Sequence, residues 1–288
     1  MTDQSQNTTE DLLRFKREQH DLWNGDMGDI WVAEQAFIDG MIKPFEKLLV
    51  DAARATHPGS VLDVGCGNGT TTLAMARALP HGARLTGLDL SQQMITNAKK
   101  RSDHEDLAVD FICADAADYA FARETFDLIT SRFGVMFFAD PVAAFQNLRG
   151  AASRSCRGLF LVWRRPEDNA FMMTGQKAAS AYLPQGAPKP MDAPGPFSLA
   201  DPDRVSAVLK ESGWSDPQFE AVDLTCCFPS CDLDMFLEKL APIGPGFNDL
   251  NADLKDKVRR IVRDAYAPFI TGGEVEFIAS CWLIKTST

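Results

Sequence analysis

One heptapeptide constrains this chain more than any other stretch: Asp63-Val-Gly-Cys-Gly-Asn-Gly69. A short apolar run, Val61-Leu62, precedes it, and residues 73–79 after it are apolar at helical spacing. That order predicts a buried strand, a glycine turn and a helix. Glycine has no Cβ, so such a turn lets backbone N–H groups and a helix N-terminus come close to a ligand.

The acid inside the turn bears on the sign of that ligand. The dinucleotide fingerprint is G-x-G-x-x-G/A. Aligned on Gly65 and Gly67, its last position holds Thr70, and Gly69 sits one place early. Asp63, at the end of the strand, falls where a pyrophosphate would be repelled. S-adenosylmethionine carries a sulfonium and an ammonium, which a carboxylate attracts. At a few ångströms in a partly dry cleft, the difference is on the order of a few kcal/mol. Taken alone, the motif also admits a bland reading in which Asp63 caps the loop.

The following residues favour the ligand reading. Arg84-Leu-Thr-Gly-Leu-Asp89 predicts a second strand ending in an acid, with Asp89 roughly 20 residues past the glycines, where nucleotide folds place a carboxylate on ribose hydroxyls. Ser91 is suited to cap the next helix, whose apolar face includes Met94, Ile95 and Ala98. Val109-Asp-Phe-Ile-Cys113 is a third strand followed by Ala114-Asp115-Ala116, and Phe126-Asp-Leu-Ile-Thr130 a fourth, leading into Ser131-Arg132-Phe133. Strands alternating with helical patterns predict βαβ units and a parallel sheet. Asp63, Asp89, Asp115 and Ser131 then all fall at carboxyl ends of strands, where such sheets bind ligands.

The series LDVGCGNG, GLDLS with Met94 beyond it, CADA and FDLITSRFG resembles the class I S-adenosylmethionine-dependent methyltransferases, in the style of the ubiquinone and menaquinone biosynthesis enzymes. Leu22-Trp-Asn-Gly25, Trp31-Val32, the stretch from Ser131-Arg-Phe-Gly to Ala139-Asp140, and Pro194-Gly-Pro-Phe-Ser-Leu-Ala-Asp201 are similar to a bacterial family of small-molecule methyltransferases largely without assigned substrates. The resemblance implies a Rossmann-like, seven-stranded, mostly parallel α/β sheet with N-terminal helices, helical lid insertions and an antiparallel last strand. It implies S-adenosyl-L-methionine as cofactor, bound through Trp31, Asp63, Gly65, Cys66, Gly67, Asp89, Leu90, Met94, Asp115, Ala116 and Ser131. Within that set, Asp63 and the glycine backbone take the methionine end, Asp89 the ribose, and Leu90 and Met94 the faces of the adenine. Asp115 and Ala116 take its edge, and the Ser131 region lines the methyl-transfer site. Where the family has a Pro-Gly-Gly turn before the fifth strand, this chain has Ser153-Arg-Ser-Cys-Arg-Gly158, expected as a surface turn.

The expected organisation is an N-terminal helical segment at 1–56, a cofactor-binding core at 57–165, a lid insertion at 166–200, a core continuation at 201–230, a helical lid insertion at 231–270 and a final strand within 271–288. Residues 1–10 read as a disordered tail, and helix breaks are expected near Asn24-Gly25 and at Gly28. A net charge of −11 works against a phosphate-backbone partner. No apolar run approaches the ~20 residues of a membrane-spanning helix, and the polar N-terminus lacks signal-peptide features, so a cytoplasmic location is expected. The seven cysteines lack C-x-x-C spacing, and no metal site is expected.

Methyl transfer is an in-line displacement, so positioning supplies much of the catalysis and no triad is required. The candidate catalytic side chains are His20, near Trp23 and Trp31 in the segment expected to close over the cofactor, and Arg132, after the fourth strand. The sequence leaves the acceptor and the oligomeric state open. A small, partly apolar molecule is the expected substrate. A cofactor-binding regulator without catalysis, an RNA or protein methyltransferase and a nicotinamide-dependent enzyme are the alternatives.

Overall fold

A computed structural model of the chain describes residues 2–184, 193–241, 243 and 246–288. Four helices come first: α1 (Thr2–Asn24), α2 (Asp26–Ala33), α3 (Gln35–Met41) and α4 (Lys43–Thr56). The alternating part follows as β1 (Ser60–Val64), α5 (Thr70–Ala78), β2 (Arg84–Asp89), α6 (Gln92–His104), β3 (Val109–Cys113), β4 (Phe126–Arg132), α7 (Pro141–Ala151) and β5 (Ala152–Trp163). The remainder is α8 (Ala170–Ala179), α9 (Pro202–Glu211), β6 (Ser215–Pro229), α10 (Leu233–Lys239), α11 (Ala252–Ala265), β7 (Ile270–Thr271) and β8 (Glu274–Ser287).

The strands form one sheet in the order β3-β2-β1-β4-β5-β8-β6, with β7 paired to β8. The first five strands are parallel to their neighbours, and β8 is antiparallel to both β5 and β6. The expected mostly parallel Rossmann-like sheet is therefore present, with the two-residue β7 as an eighth strand. All of β1 is buried, as a central parallel strand covered on both faces must be. Helices α6, α7 and α9 start at side-chain caps, the first of them expected from the sequence: Ser91 accepts from Met94 N at 3.4 Å, Asp140 from Ala143 N at 3.0 Å and Asp201 from Asp203 N at 3.0 Å. Pro141 and Pro202 occupy the first helical positions after the last two caps.

Alternation along the strands divides the core. Val61, Leu128, Leu159 and Leu161 pack with Phe45 and Leu49 of α4 and Met75 of α5. Leu62, Ile129 and Phe160 pack with Phe145 and Leu148 of α7 and Val205 and Leu209 of α9. The first of these clusters continues beyond the sheet, because β8 pairs with β5 only over residues 281–287. Residues 274–280 pair with β6 but not with β5. The β6–β8 hairpin thus stands past Trp163, the last residue of β5. Phe171 of α8 stacks on Phe277 at 3.8 Å between ring centres and meets Phe228, Phe236, Tyr266 and Phe269 edgewise or tilted. Phe37 of α3 touches Phe228 and Phe236, joining the N-terminal helices to this aromatic layer.

Several local expectations are corrected. Residues 2–10 are the first turns of α1 rather than a disordered tail; Met1 lies outside the described residues. Gly28 is inside α2 rather than at a break, and a Cβ there would lie 2.1 Å from the Trp23 carbonyl oxygen, so it permits the end of α1 to fold against α2. The break expected near Asn24-Gly25 is present at Gly25, and further breaks fall at Glu34 and Ile42. Residues 153–158 belong to β5: Ala152 pairs with Phe126 and Arg157 with Leu128, and the extra residues form a bulge rather than a surface turn. Residues 185–192 of the expected insertion at 166–200, and 242, 244 and 245 of that at 231–270, lie outside the described residues.

Candidate active site

The tips of β1, β2, β3 and β4 converge on the glycine turn. Gly65 and Cys66 both donate backbone N–H bonds to the Leu88 carbonyl, at 2.8 and 3.1 Å, which folds the turn back over β2. Gly65 has φ of +67°, and a Cβ there would lie 2.7 Å from Gly134 Cα. This contact presses the β1 turn against the loop after β4, and only glycine at both positions permits it. Gly67, with φ of +53°, is different: among the described residues the only atom within 4 Å of its missing Cβ is Met94 Sδ at 3.6 Å. That leaves an open cradle in front of the turn.

Asp63 is buried, with Oδ2 accepting from Thr72 Oγ1 at 2.6 Å and Oδ1 without a hydrogen-bond partner among the described residues. Burial pushes its carboxyl up to about 6, against the opposing influence of the Thr72 hydrogen bond and the Arg132 charge. Asp89 accepts from Gly67 N at 2.7 Å and Ser91 N at 2.9 Å, so one carboxylate ties the glycine turn to the start of α6. Burial raises its pKa, and these backbone bonds oppose the rise. Asp115 accepts from Ala117 N at 2.8 Å through Oδ1. Ala116 and Met94 are buried beside these tips, and Leu90 is half-buried.

Two expected residues shape the backbone around the site. The Cys66 thiol packs among Leu73, Ile95, Ala98 and Phe111, donates to the Gly67 carbonyl at 3.8 Å, and has its pKa pushed well up by burial. Ser131 Oγ accepts from Gly134 N and Val135 N at 3.1 and 3.3 Å, fixing the loop after β4. Between them Phe133 adopts φ of +64°, a conformation uncommon for an aromatic residue and characteristic of strained, functional loops. Its ring stacks on Trp163 at 4.3 Å, with Phe45 edge-on to both.

The N-terminal helices cover these tips. Lys16 of α1 pairs with Asp118 after β3 at 2.6 Å. The Asn24 side-chain amide donates to the Leu90 carbonyl at 3.1 Å and accepts from Gln92 N at 2.9 Å. Asn68 donates to the Trp31 carbonyl at 2.9 Å, and the Trp31 ring meets Trp23 edgewise, which in turn meets Phe137 after β4. Asp39 of α3 accepts from Thr70 Oγ1 at 2.7 Å and from Arg101 at 3.2 Å. Sequence reasoning named Trp31 but missed Asn24, Asp39 and Gly134 as site-forming residues. Gly134 lies within the Ser131-Arg-Phe-Gly motif, yet nothing in sequence pairs it with Gly65.

His20 is not brought to the tips: its ring is exposed and lies 3.3 Å from Asp21. His57, His81 and His104 are also exposed. Arg132 is at the tip of β4, with a buried Nη1 that has no hydrogen-bond partner. Among the described residues no group of three or more His, Cys, Asp or Glu is arranged to hold a metal ion.

These residues fit S-adenosylmethionine. The unpartnered Asp63 oxygen offers an acceptor to an ammonium, the Gly67 cradle leaves room for a ligand, and Asp89 is held rigidly at the adjoining strand tip. Known proteins agree. A family described as a methyltransferase domain matches residues 61–153. A ubiquinone biosynthesis O-methyltransferase of Coxiella burnetii is 28% identical over 186 residues, covering 64% of this chain and 69% of that protein. A demethylmenaquinone methyltransferase of Thermotoga maritima is 33% identical over 150 residues, covering 52% of this chain and 62% of the relative. The solved structure of the YcgJ protein from Bacillus subtilis shares the fold, with a TM-score of 0.57 at 18% identity over 84% of this chain and 97% of that one. The chain carries a methyltransferase domain over residues 61–153, and its motifs, its sheet and these relatives support a class I S-adenosylmethionine-dependent methyltransferase.

Proposed function

We propose that this enzyme methylates a small, partly apolar molecule held between the strand tips and a cap made of α1–α3, α8, α10 and α11. The observation that carries the reading is the aromatic layer standing past the end of β5, continuous with the Phe45–Phe133–Trp163 group beside Arg132. An apolar, aromatic-rich surface beside a methyl-donor site suits a compact, partly apolar acceptor better than a polymer, and a net charge of −11 opposes a polyanion. Two relatives named for ubiquinone biosynthesis and for demethylmenaquinone are consistent with this class of acceptor.

When bound, the cofactor supplies an activated methyl group. The chain's own residues supply its placement. Asp63 holds the ammonium end with the Gly65–Gly67 backbone, Asp89 accepts from the ribose, and Leu90 and Met94 flank the adenine. Asp115 and Ala116 read the adenine edge. Trp31 and the other N-terminal residues close over these groups and exclude water. The loop fixed by Ser131 presents Phe133 toward the acceptor. With all four histidines exposed, alignment rather than a histidine base carries the rate.

The test is release of S-adenosylhomocysteine from S-adenosylmethionine when the purified protein is incubated with fractionated small-molecule extracts. Release in one or a few fractions supports the reading. Methyl incorporation into RNA or protein alone would overturn it.

A further inference from the structure

Four charged groups surround the Arg132 guanidinium: Asp39, Asp63, Glu46 and Arg101. Asp39 pairs with Arg101 at 3.2 Å and accepts from Thr70. Glu46 of α4, itself buried, pairs with Lys43 at 2.6 Å. Two groups stay incomplete. Asp63 keeps a buried oxygen without a donor, and Arg132 keeps a buried Nη1 without an acceptor.

The two are neighbours by construction. Asp63 pairs in register with Thr130 across β1 and β4, and Arg132 is two residues further along β4. Strand periodicity puts all three on the same face, the one covered by α4 and α5. Each lies within the other's field, yet they form no ion pair. A buried charged group left without its full set of hydrogen bonds is costly, so two such groups of opposite sign side by side point to a ligand that completes both. Such a ligand carries an ammonium and a carboxylate together and adds no net charge.

We propose that Arg132 anchors the carboxylate of the cofactor's amino-acid end, while Asp63 takes the ammonium of the same end. This rests on the cofactor assignment above and adds to it the residue that reads the carboxylate. Arg132 is then a cofactor-binding residue, and the strained Phe133 that follows it sets the direction of the chain at that point. The acceptor is left to the aromatic surface of Phe133 and Trp163.

Binding calorimetry with two ligands tests this. S-adenosylhomocysteine carries the amino-acid end, and 5′-methylthioadenosine has the same nucleoside without it. Arg132→Met is expected to weaken S-adenosylhomocysteine binding by about 10- to 100-fold, the loss typical of a charged hydrogen bond, and to leave 5′-methylthioadenosine unchanged. Arg132→Lys is expected to recover part of the loss. Unchanged 5′-methylthioadenosine binding also shows that the variant is folded. Equal weakening of both ligands would overturn the proposal by making Arg132 structural, and undiminished S-adenosylhomocysteine affinity would overturn it by freeing Arg132 for the acceptor. Wild-type protein binding neither ligand would instead overturn the cofactor reading itself, and this proposal with it.

Discussion

Asp63 and Arg132 stand on one face of the sheet, at the tips of adjacent strands, and do not touch. An ion pair there would have closed the site. Held apart, the two groups keep an acceptor and a donor available beside an open glycine cradle, and the cost of that arrangement appears in the ligand-free protein. The first prediction follows from it.

Asp63 has a folded-state pKa of about 6 because it is buried, against ~3.9 in an unfolded chain. The folded state therefore binds the proton more tightly, and this group's contribution to stability is fully present below the unfolded value and lost as pH rises from about 4 to about 6. The integrated effect is at most about 3 kcal/mol. Asp63→Asn removes it. In urea unfolding without ligand, the variant should gain on wild type across that window, hold a gain of about 1–3 kcal/mol above it, and lose affinity for S-adenosylhomocysteine. A difference that does not vary with pH would contradict the burial of an ionising Asp63.

Asp89 ties the glycine turn to α6 as well as facing the proposed ribose position. Asp89→Ala should weaken cofactor binding by about 1–3 kcal/mol and also lower thermal stability, since two backbone N–H groups, that of Ser91 buried, lose their acceptor. Unchanged affinity in calorimetry would remove Asp89 from the site.

How much of this was legible from the sequence depends on the range of the contact. β1 to β4, the acids at the tips of β1 to β3 and the cap at Ser91 are local patterns and read directly. The part of α1 before residue 11 reads as a tail because its residues are polar, while the part from residue 11 on reads as helix. The bulged part of β5 was misread because Ser153-Arg-Ser-Cys-Arg157 looks like a turn, although Ala152 re-pairs with Phe126. The contact of Gly65 with Gly134 and the Asp63–Arg132 relationship depend on strand order and register, which no local signal encodes. Asn24 was quoted in a motif, but its bonds to Leu90 and Gln92 exist only once α1 lies across the tips.

Gly67 of the turn and Gly134 of the loop after β4 should separate under substitution. Gly134→Ala has acceptable backbone angles but puts a Cβ 2.8 Å from Gly65 Cα and from the Val64 carbonyl, so it should cost about 1–3 kcal/mol of stability and displace the turn. Gly67→Ala meets no close atom and pays only for its positive φ, about 1–2 kcal/mol, while filling the cradle. Its cofactor affinity should fall by more than its stability explains. Thermal melts with and without S-adenosylhomocysteine distinguish the two, and a Gly67→Ala protein stabilised by ligand as much as wild type would place the ligand elsewhere.

Phe171 is the centre of the cap's aromatic layer and is 4% exposed. Phe171→Ala should loosen the cap by about 3–5 kcal/mol, the range for a buried aromatic cut to alanine. If the cap serves the acceptor, cofactor binding should persist while turnover with a responsive extract fraction falls. Amide exchange should rise in α8, α10 and α11 before it rises in β1. Equal loss of cofactor binding and turnover would merge cap and core into one function.

The central claim is that the glycine turn with Asp63 beneath it accepts a cationic sulfur cofactor. Titration of wild-type protein with S-adenosylmethionine and with NAD, side by side in one buffer, tests it most directly. Saturable 1:1 heat with S-adenosylmethionine, lost in Asp63→Asn, and none with NAD is the predicted result. Binding of NAD with no response to S-adenosylmethionine would contradict the account.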